Sequence, residues 1–191
     1  MDEWQKLLSE IADCGLCGLG SGALHRVPGQ GDRQSPLMFI GEGPGQTEDE
    51  QGLAFVGAAG QLLTRMLDAI RIPRDRVYIC NVVKCRPPRN RVPAPEEQQA
   101  CLPYLHRQIA LADPKVIVLL GGTAGQAILG APVRVTREHG QWYKKDGRFY
   151  MQTFHPSGLL RDASKKALAW QDMQSLRDRL QELGLYDSLC W

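Results

Sequence analysis

The residues with the most chemical capacity lie in the segment 37–60, LMFIGEGPGQTEDEQGLAFVGAAG. An apolar run, Leu37-Met38-Phe39-Ile40, has the length of a buried strand. It breaks at Gly41-Glu42-Gly43-Pro44-Gly45, where three glycines and a proline force a sharp turn. Glu42 is held in that turn, Glu48, Asp49 and Glu50 follow, and Phe55 stands in a glycine-rich stretch. In an open α/β sheet, ligands bind at the loops leaving the carboxyl ends of the strands. A rigid loop carrying an acid and a lone aromatic suits a flat, polar ligand, although a plain turn uses the same residue types. No lysine follows as a phosphate-binding loop requires, and Glu48 takes the place of the third glycine of a dinucleotide fingerprint. The stretch therefore gives a nucleotide cofactor little support.

Further candidates lie downstream. Asn81 sits near the carboxyl end of a β-branched run, residues 77–83, where a buried amide must either satisfy a loop or face a ligand. Residues 84–95, KCRPPRNRVPAP, hold four prolines and four basic side chains, including Arg86, Arg89 and Arg91. Such a segment is irregular, either a stiff solvated loop or a wall that contacts phosphates. His155 opens HPSGLLR, in which proline and glycine predict a loop presenting Leu159 and Leu160 beside Arg161.

Four of the six cysteines form a set. Cys14 and Cys17 make a Cys-x-x-Cys pair at the end of a helix, and Cys85 and Cys101 flank the proline-rich loop. Four thiolates suit a structural zinc or an iron–sulfur cluster, and a single tight pair in place of two leans toward the cluster. Cys80, in a strand, and Cys190, near the C-terminus, read as ordinary residues.

These groups need a scaffold. Helical spacing over 4–12, 60–70, 95–112 and 165–183, the last capped by Ser164, alternates with apolar runs at 37–40, 77–83 and 116–120. A short helix ending near residues 129–130, a short strand at 133–135 and a hairpin around Asp146-Gly147 complete the reading. Strands alternating with helices predict a parallel sheet with helices on both faces. The 191 residues suit one domain, 1–191, with a sizeable core. A net charge of +2 is too mild to mark a nucleic-acid binder by itself. No run has the length of a membrane span and the N-terminus lacks a secretory pattern, so the expectation is a cytoplasmic protein with reduced thiols and no membrane partner.

Taken together, GEGPGQTEDEQGLAFVGAAGQLL from Gly41, NVVKCRPPRNRVPAPEEQQAC from Asn81, HPSGLLR from His155 and the cysteine spacing resemble a family 4 uracil-DNA glycosylase, the iron–sulfur class of bacteria and archaea. The resemblance runs from Cys14 to at least Arg161. It implies a four-stranded parallel sheet, a 4Fe–4S cluster at the periphery held by Cys14, Cys17, Cys85 and Cys101, and uracil in single- or double-stranded DNA as substrate, with the enzyme acting as a monomer. It further implies that Glu42 and His155 are catalytic and that Glu42, Gly43, Glu48, Phe55, Asn81 and His155 surround the uracil. Arg86, Arg89, Arg91, Leu159, Leu160 and Arg161 would meet the DNA.

The residue types suit those roles. The base must be extruded, and the leucine pair suits the gap it leaves. Phe55 suits stacking, and the Asn81 amide matches O4 and N3–H of uracil while mismatching cytosine. His155 suits the negative charge that develops at O2. Glu42 suits the attacking water, and the absence of a lysine in a nucleophile's place suits hydrolysis without strand cleavage. The loop 86–95 holds no histidine able to bond covalently to the DNA sugar, as one does in a relative of the same superfamily, which suits an ordinary turnover enzyme. A non-catalytic, cluster-bearing DNA-binding or redox-sensing module would have the cysteines and no use for the set Glu42, Phe55, Asn81 and His155.

Overall fold

The computed structural model describes residues 2–190. Helix α1 (Glu3–Ala12) starts where Asp2 and Gln5 cap each other: the Asp2 carboxylate accepts the Gln5 N–H at 2.7 Å, and the Gln5 side chain accepts the Asp2 N–H. Helix α2 (Leu19–Gly22) and the short strand β1 (Gln30–Gly31) then interrupt a stretch that composition marks as plain loop. Strand β2 (Leu37–Gly41) leads through α3 (Gln46–Gln51) into α4 (Ala58–Ala69). Strand β3 (Tyr78–Asn81), helix α5 (Pro95–Ala112), strand β4 (Val116–Leu120) and helix α6 (Gly122–Leu129) follow. Then come α7 (Val135–Glu138), the hairpin β5 (Trp142–Lys145) and β6 (Arg148–Thr153), α8 (Pro156–Arg161), α9 (Lys166–Glu182) and α10 (Tyr186–Leu189).

The sheet has six strands in the order β1-β3-β2-β4-β6-β5, which corrects the expected count of four. Its middle is the four parallel strands β3, β2, β4 and β6, and β1 and β5 add an antiparallel partner at each edge. Strand β1, two residues long, is too short to register in the sequence, whereas β5 and β6 form the hairpin expected around Asp146-Gly147.

Strand pleating sorts the core into two layers. Phe39, Val118 and Met151 pack with Leu63 and Leu67 of α4 and with Met173, Leu176 and Leu180 of α9. The alternate residues Met38, Ile40, Ile117 and Leu119 pack with Leu105 and Ile109 of α5 and Ile128 of α6. Each fully buried leucine or isoleucine contributes about 1.5–3 kcal/mol, so the helices are fixed to the sheet far more by these faces than by their own propensity.

Three local expectations are corrected. Residues 133–135 lead into α7 instead of forming a strand. Residues 156–161 form helix α8, because Pro156 at the first position has no N–H to lose and the His155 ring accepts the Ser157 N–H. Asp162, not Ser164, caps the turn before α9, accepting from both the N–H and the hydroxyl of Ser164.

Helix α4 is set against the Phe55 loop at Gly60. A β-carbon there would stand 1.7 Å from the Phe55 carbonyl oxygen. Helix propensity alone favours alanine over glycine by about 1 kcal/mol, but the overlap demands a backbone shift. Gly60→Ala should therefore destabilise the protein by roughly 2–4 kcal/mol in urea unfolding, and a gain in stability would show that the loop and helix are not packed as described.

Candidate active site

The four parallel strands deliver their chemistry at one end. Glu42 follows β2, Asn81 ends β3, Gly121 follows β4 and His155 follows β6. These ends open into a cleft of about 730 Å³ lined by Glu42, Gly43, Glu48, Phe55, Asn81 and His155, with Arg91, Leu160 and Arg161 at its walls. All six residues expected around the base are thus brought together.

Asn81 is 1 % exposed, and its Oδ1 is a buried acceptor without a hydrogen-bond partner. Its strand is tied to the first loop, since the Val82 N–H donates to the Gly41 carbonyl at 2.9 Å and the Val83 N–H to the Glu42 carbonyl at 3.2 Å. Gly41 is what lets the site close: a β-carbon there would lie 2.5 Å from the Phe55 ring and 2.6 Å from Asn81 Oδ1. The half-buried Glu42 accepts a short hydrogen bond from the Thr123 hydroxyl, which fixes one of its oxygens and leaves the other available.

Phe55 has φ 52°, a conformation that is strained for a bulky side chain. Three side chains hold the surrounding loop. Glu48 accepts the N–H groups of Val56 at 2.9 Å and Gly57 at 2.7 Å through Oε1, and that of Gly45 at 3.1 Å through Oε2. The Arg74 guanidinium donates to the carbonyls of Ala54 at 2.7 Å and Gly60 at 3.2 Å and to the Thr64 hydroxyl at 3.0 Å. Asp49 accepts the N–H groups of Leu24 and His25, anchoring α3 to the preceding segment.

His155 lies across the cleft floor from Phe55, with ring centroids 5.6 Å apart. Its Nδ1 accepts the Ser157 N–H at 3.1 Å, which places the ring proton on Nε2. Burial, with Arg161 adding repulsion, pulls its pKa down to about 4, so the ring is neutral at pH 7 and is a donor through Nε2–H.

The residues expected to meet DNA divide. Leu160 is 44 % exposed at the cleft, whereas Leu159 is buried against Leu62, Phe154 and Ala169, so only the second leucine of the pair is free to leave the surface. Arg161 is exposed, Arg91 forms a two-point pair with Glu97, and Arg86 donates to the Asn90 side chain. Arg89 is exposed at a left-handed position beside the cleft wall and does not line the cleft.

Cys14, Cys17, Cys85 and Cys101 line one pocket, separate from the cleft. All four are free thiols. Burial and the neighbouring thiols push Cys85 up to about 11, and burial also raises Cys101. The Lys84 N–H donates to Cys101 Sγ at 3.3 Å. Arg26 lines the same pocket and keeps a buried Nε–H with no acceptor. Soft donors from three chain segments, with an orphaned cationic donor in the wall, fit a thiolate-bound anionic centre. Among the described residues, no three His, Cys, Asp or Glu side chains converge at the spacing of a single ion's ligands.

A mixed sheet whose parallel strand ends gather an acid, an aromatic ring, an unpartnered amide and a neutral histidine defines a base-binding α/β enzyme scaffold. The chain matches the family model described as the uracil DNA glycosylase superfamily over residues 28–174. It is 41 % identical over 190 residues to a type-4 uracil-DNA glycosylase of Thermotoga maritima, covering 96 % of this chain and 98 % of that protein. A second type-4 uracil-DNA glycosylase, from Sulfurisphaera tokodaii, is 38 % identical over 93 % of this chain and 85 % of its own length. A type-5 uracil-DNA glycosylase of Pyrobaculum aerophilum is 32 % identical over 70 % of this chain and 66 % of its own. The chain belongs to the uracil-DNA glycosylase superfamily, in its type-4 family.

Sequence reasoning passed over Thr123 and Arg74. Thr123 follows a strand at a glycine turn, the same signal that marks Glu42. Arg74 gave no signal, because its three acceptors lie 10 to 20 residues earlier in the chain.

The Glu48 clamp gives a direct prediction. A charged acceptor bond contributes about 1.5–3 kcal/mol and three bonds to one carboxylate are not additive, so Glu48→Ala should cost about 3 kcal/mol in urea unfolding. An unchanged unfolding midpoint would mean that the three backbone donors do not rely on this side chain.

Proposed function

We propose that this chain is a monofunctional uracil-DNA glycosylase that extrudes a uracil nucleotide, hydrolyses its N-glycosidic bond and releases free uracil, leaving an abasic site. The observation that carries the reading is the buried, unpartnered Oδ1 of Asn81 in a cleft floored by Phe55 and a neutral His155. An amide presenting an acceptor and a donor pairs with N3–H and O4 of uracil. Cytosine, with a bare N3 and an amino group, leaves both halves of the amide opposed, and unpaired buried groups make such rejection strong.

In the proposed reaction Phe55 stacks on the base, and Gly43 lets the loop approach it closely. Leu160 fills the gap in the stack while Arg161, Arg86, Arg89 and Arg91 meet phosphates. The C1′–N1 bond breaks, its electron pair moves onto the uracil ring, and His155 Nε2–H donates to O2 as charge develops there. Water adds to C1′ and loses its proton toward Glu42, which is oriented by Thr123 and offsets the positive charge on the sugar. Glu48 serves by holding the Phe55 loop. The only lysine in the three motifs is buried and bonded away from the cleft, which supports hydrolysis over an amine-based mechanism.

The four-cysteine pocket is proposed to hold a 4Fe–4S cluster, which when bound ties the end of α1 to the loop before α5. The chain is further proposed to act as a single-domain monomer, and unpaired cysteines suit a reducing, cytoplasmic setting.

The reading is tested by product, rate and metal content. A uracil-containing oligonucleotide should yield free uracil and an alkali-labile site, and His155→Ala should lower the single-turnover rate by roughly two to three orders of magnitude. Because the ring stays neutral down to about pH 4, the wild-type rate should carry no His155 limb near pH 6.5. A limb there that vanishes in His155→Ala would contradict the neutral donor. Protein prepared without oxygen should be brown with about four irons per chain and should keep its colour in Cys80→Ser, whereas stoichiometric zinc without iron would overturn the cluster.

A further inference from the structure

Lys84 is 1 % exposed, a depth at which an ammonium is retained only when well partnered. Its Nζ donates to the backbone carbonyl of Asn81 at 2.6 Å and to Gln108 Oε1 at 2.6 Å. Gln108 is itself fully buried and spans from Lys84 to the Pro28 carbonyl and the Tyr78 hydroxyl. At the other end of the same residue, the Lys84 N–H donates to Cys101 Sγ at 3.3 Å, and Lys84 lines the cysteine pocket. One residue therefore touches both the peptide that carries the cleft amide and the four-thiol site.

We propose that Lys84 is a specificity-determining positioning residue: it locks the Asn81 peptide so that the amide is presented to the base, and it takes its own position from the cysteine pocket. This rests on the uracil-reading role proposed for Asn81. The physical need is clear from the site. Asn81 Oδ1 has no protein hydrogen-bond partner, so no hydrogen bond from that oxygen fixes the direction of the side chain. Its aim is inherited from its backbone. The peptide beyond Asn81 sits at the end of β3, where a bend begins: its N–H, that of Val82, donates to the Gly41 carbonyl, and its carbonyl is held by Lys84. A charged donor on that carbonyl is the strongest restraint available there. The thiol pocket supplies the reason for a lysine and not a neutral donor. A centre bound by four thiolates would be negative, which favours a cation in the residue whose backbone N–H meets Cys101 Sγ, and Gln108 Oε1 accepts from that cation beside the Asn81 carbonyl.

The test separates reading of the base from holding of the DNA. Binding of free uracil, measured by calorimetry, reports the Asn81 pocket, and binding of an abasic-site duplex reports the phosphate and leucine contacts. Lys84→Met keeps the length and removes the charge and the donors. It should weaken uracil binding about ten-fold or more while abasic-duplex binding and iron content stay within a factor of about two. Gln108→Leu leaves Lys84 in place without the acceptor that aims it, and should weaken uracil binding in the same direction by a few-fold only. It carries the test if Lys84→Met does not fold. Wild-type uracil affinity in the folded variants would overturn the proposal, as would equal losses for uracil and abasic duplex. Failure of the wild-type protein to bind or release uracil would instead overturn the glycosylase reading.

Discussion

The constraint on which this structure turns is a buried amide that the protein leaves unpaired. An unsatisfied buried acceptor costs about 1–3 kcal/mol, and Asn81 Oδ1 is such an acceptor in a cleft where three other loops converge. A fold tolerates that only if its surroundings prevent the amide from turning to a neighbour or collapsing onto Phe55. The parallel ladder fixes the end of β3 beside the end of β2, Gly41 provides the space between ring and amide, and Lys84 holds the carbonyl behind.

The neighbouring loop stores a second cost of the same order. Phe55 adopts a left-handed backbone worth about 1–3 kcal/mol of strain. The loop is held open by Glu48 from one side and Arg74 from the other, six hydrogen bonds in which one partner is charged. Since each such bond contributes about 1.5–3 kcal/mol, the clamps outweigh the strain. The cleft is thereby preorganised for a flat ligand before any ligand arrives, which is the condition under which electrostatic donors act in a transition state without reorganising. The neutral state of His155 belongs to the same economy: a cation buried beside Arg161 would be expelled, whereas a neutral ring held by the Ser157 N–H keeps its proton aimed from Nε2.

Much of this was legible in the sequence because loops at strand ends are short and chemically biased. Glu42, Phe55, Asn81 and His155 each stand within two residues of a strand end or inside a glycine-rich turn, so pattern marked each as a candidate, and the resemblance to a known family put them around one base. The central parallel strands were legible as apolar runs. Of the edge strands, β5 was legible together with β6 as the hairpin around Asp146-Gly147, whereas β1, two residues long, carries no periodic signal. Helix α8 was hidden by its proline and glycine, which read as breakers until the His155 cap is seen. The distinction between buried Leu159 and exposed Leu160 depends on that helix, since a loop would have presented both. The anchoring roles of Arg74, Thr123 and Lys84 depend on contacts between distant segments, which spacing cannot carry.

The account is tested most directly by determining the structure of the protein with free uracil bound and measuring where the ring lies. Uracil should lie stacked on Phe55, with N3–H within hydrogen-bond distance of Asn81 Oδ1, O4 at the amide nitrogen and O2 at His155 Nε2. Uracil bound with Asn81 Oδ1 still unpartnered, or seated outside the cleft between Phe55 and His155, would contradict it.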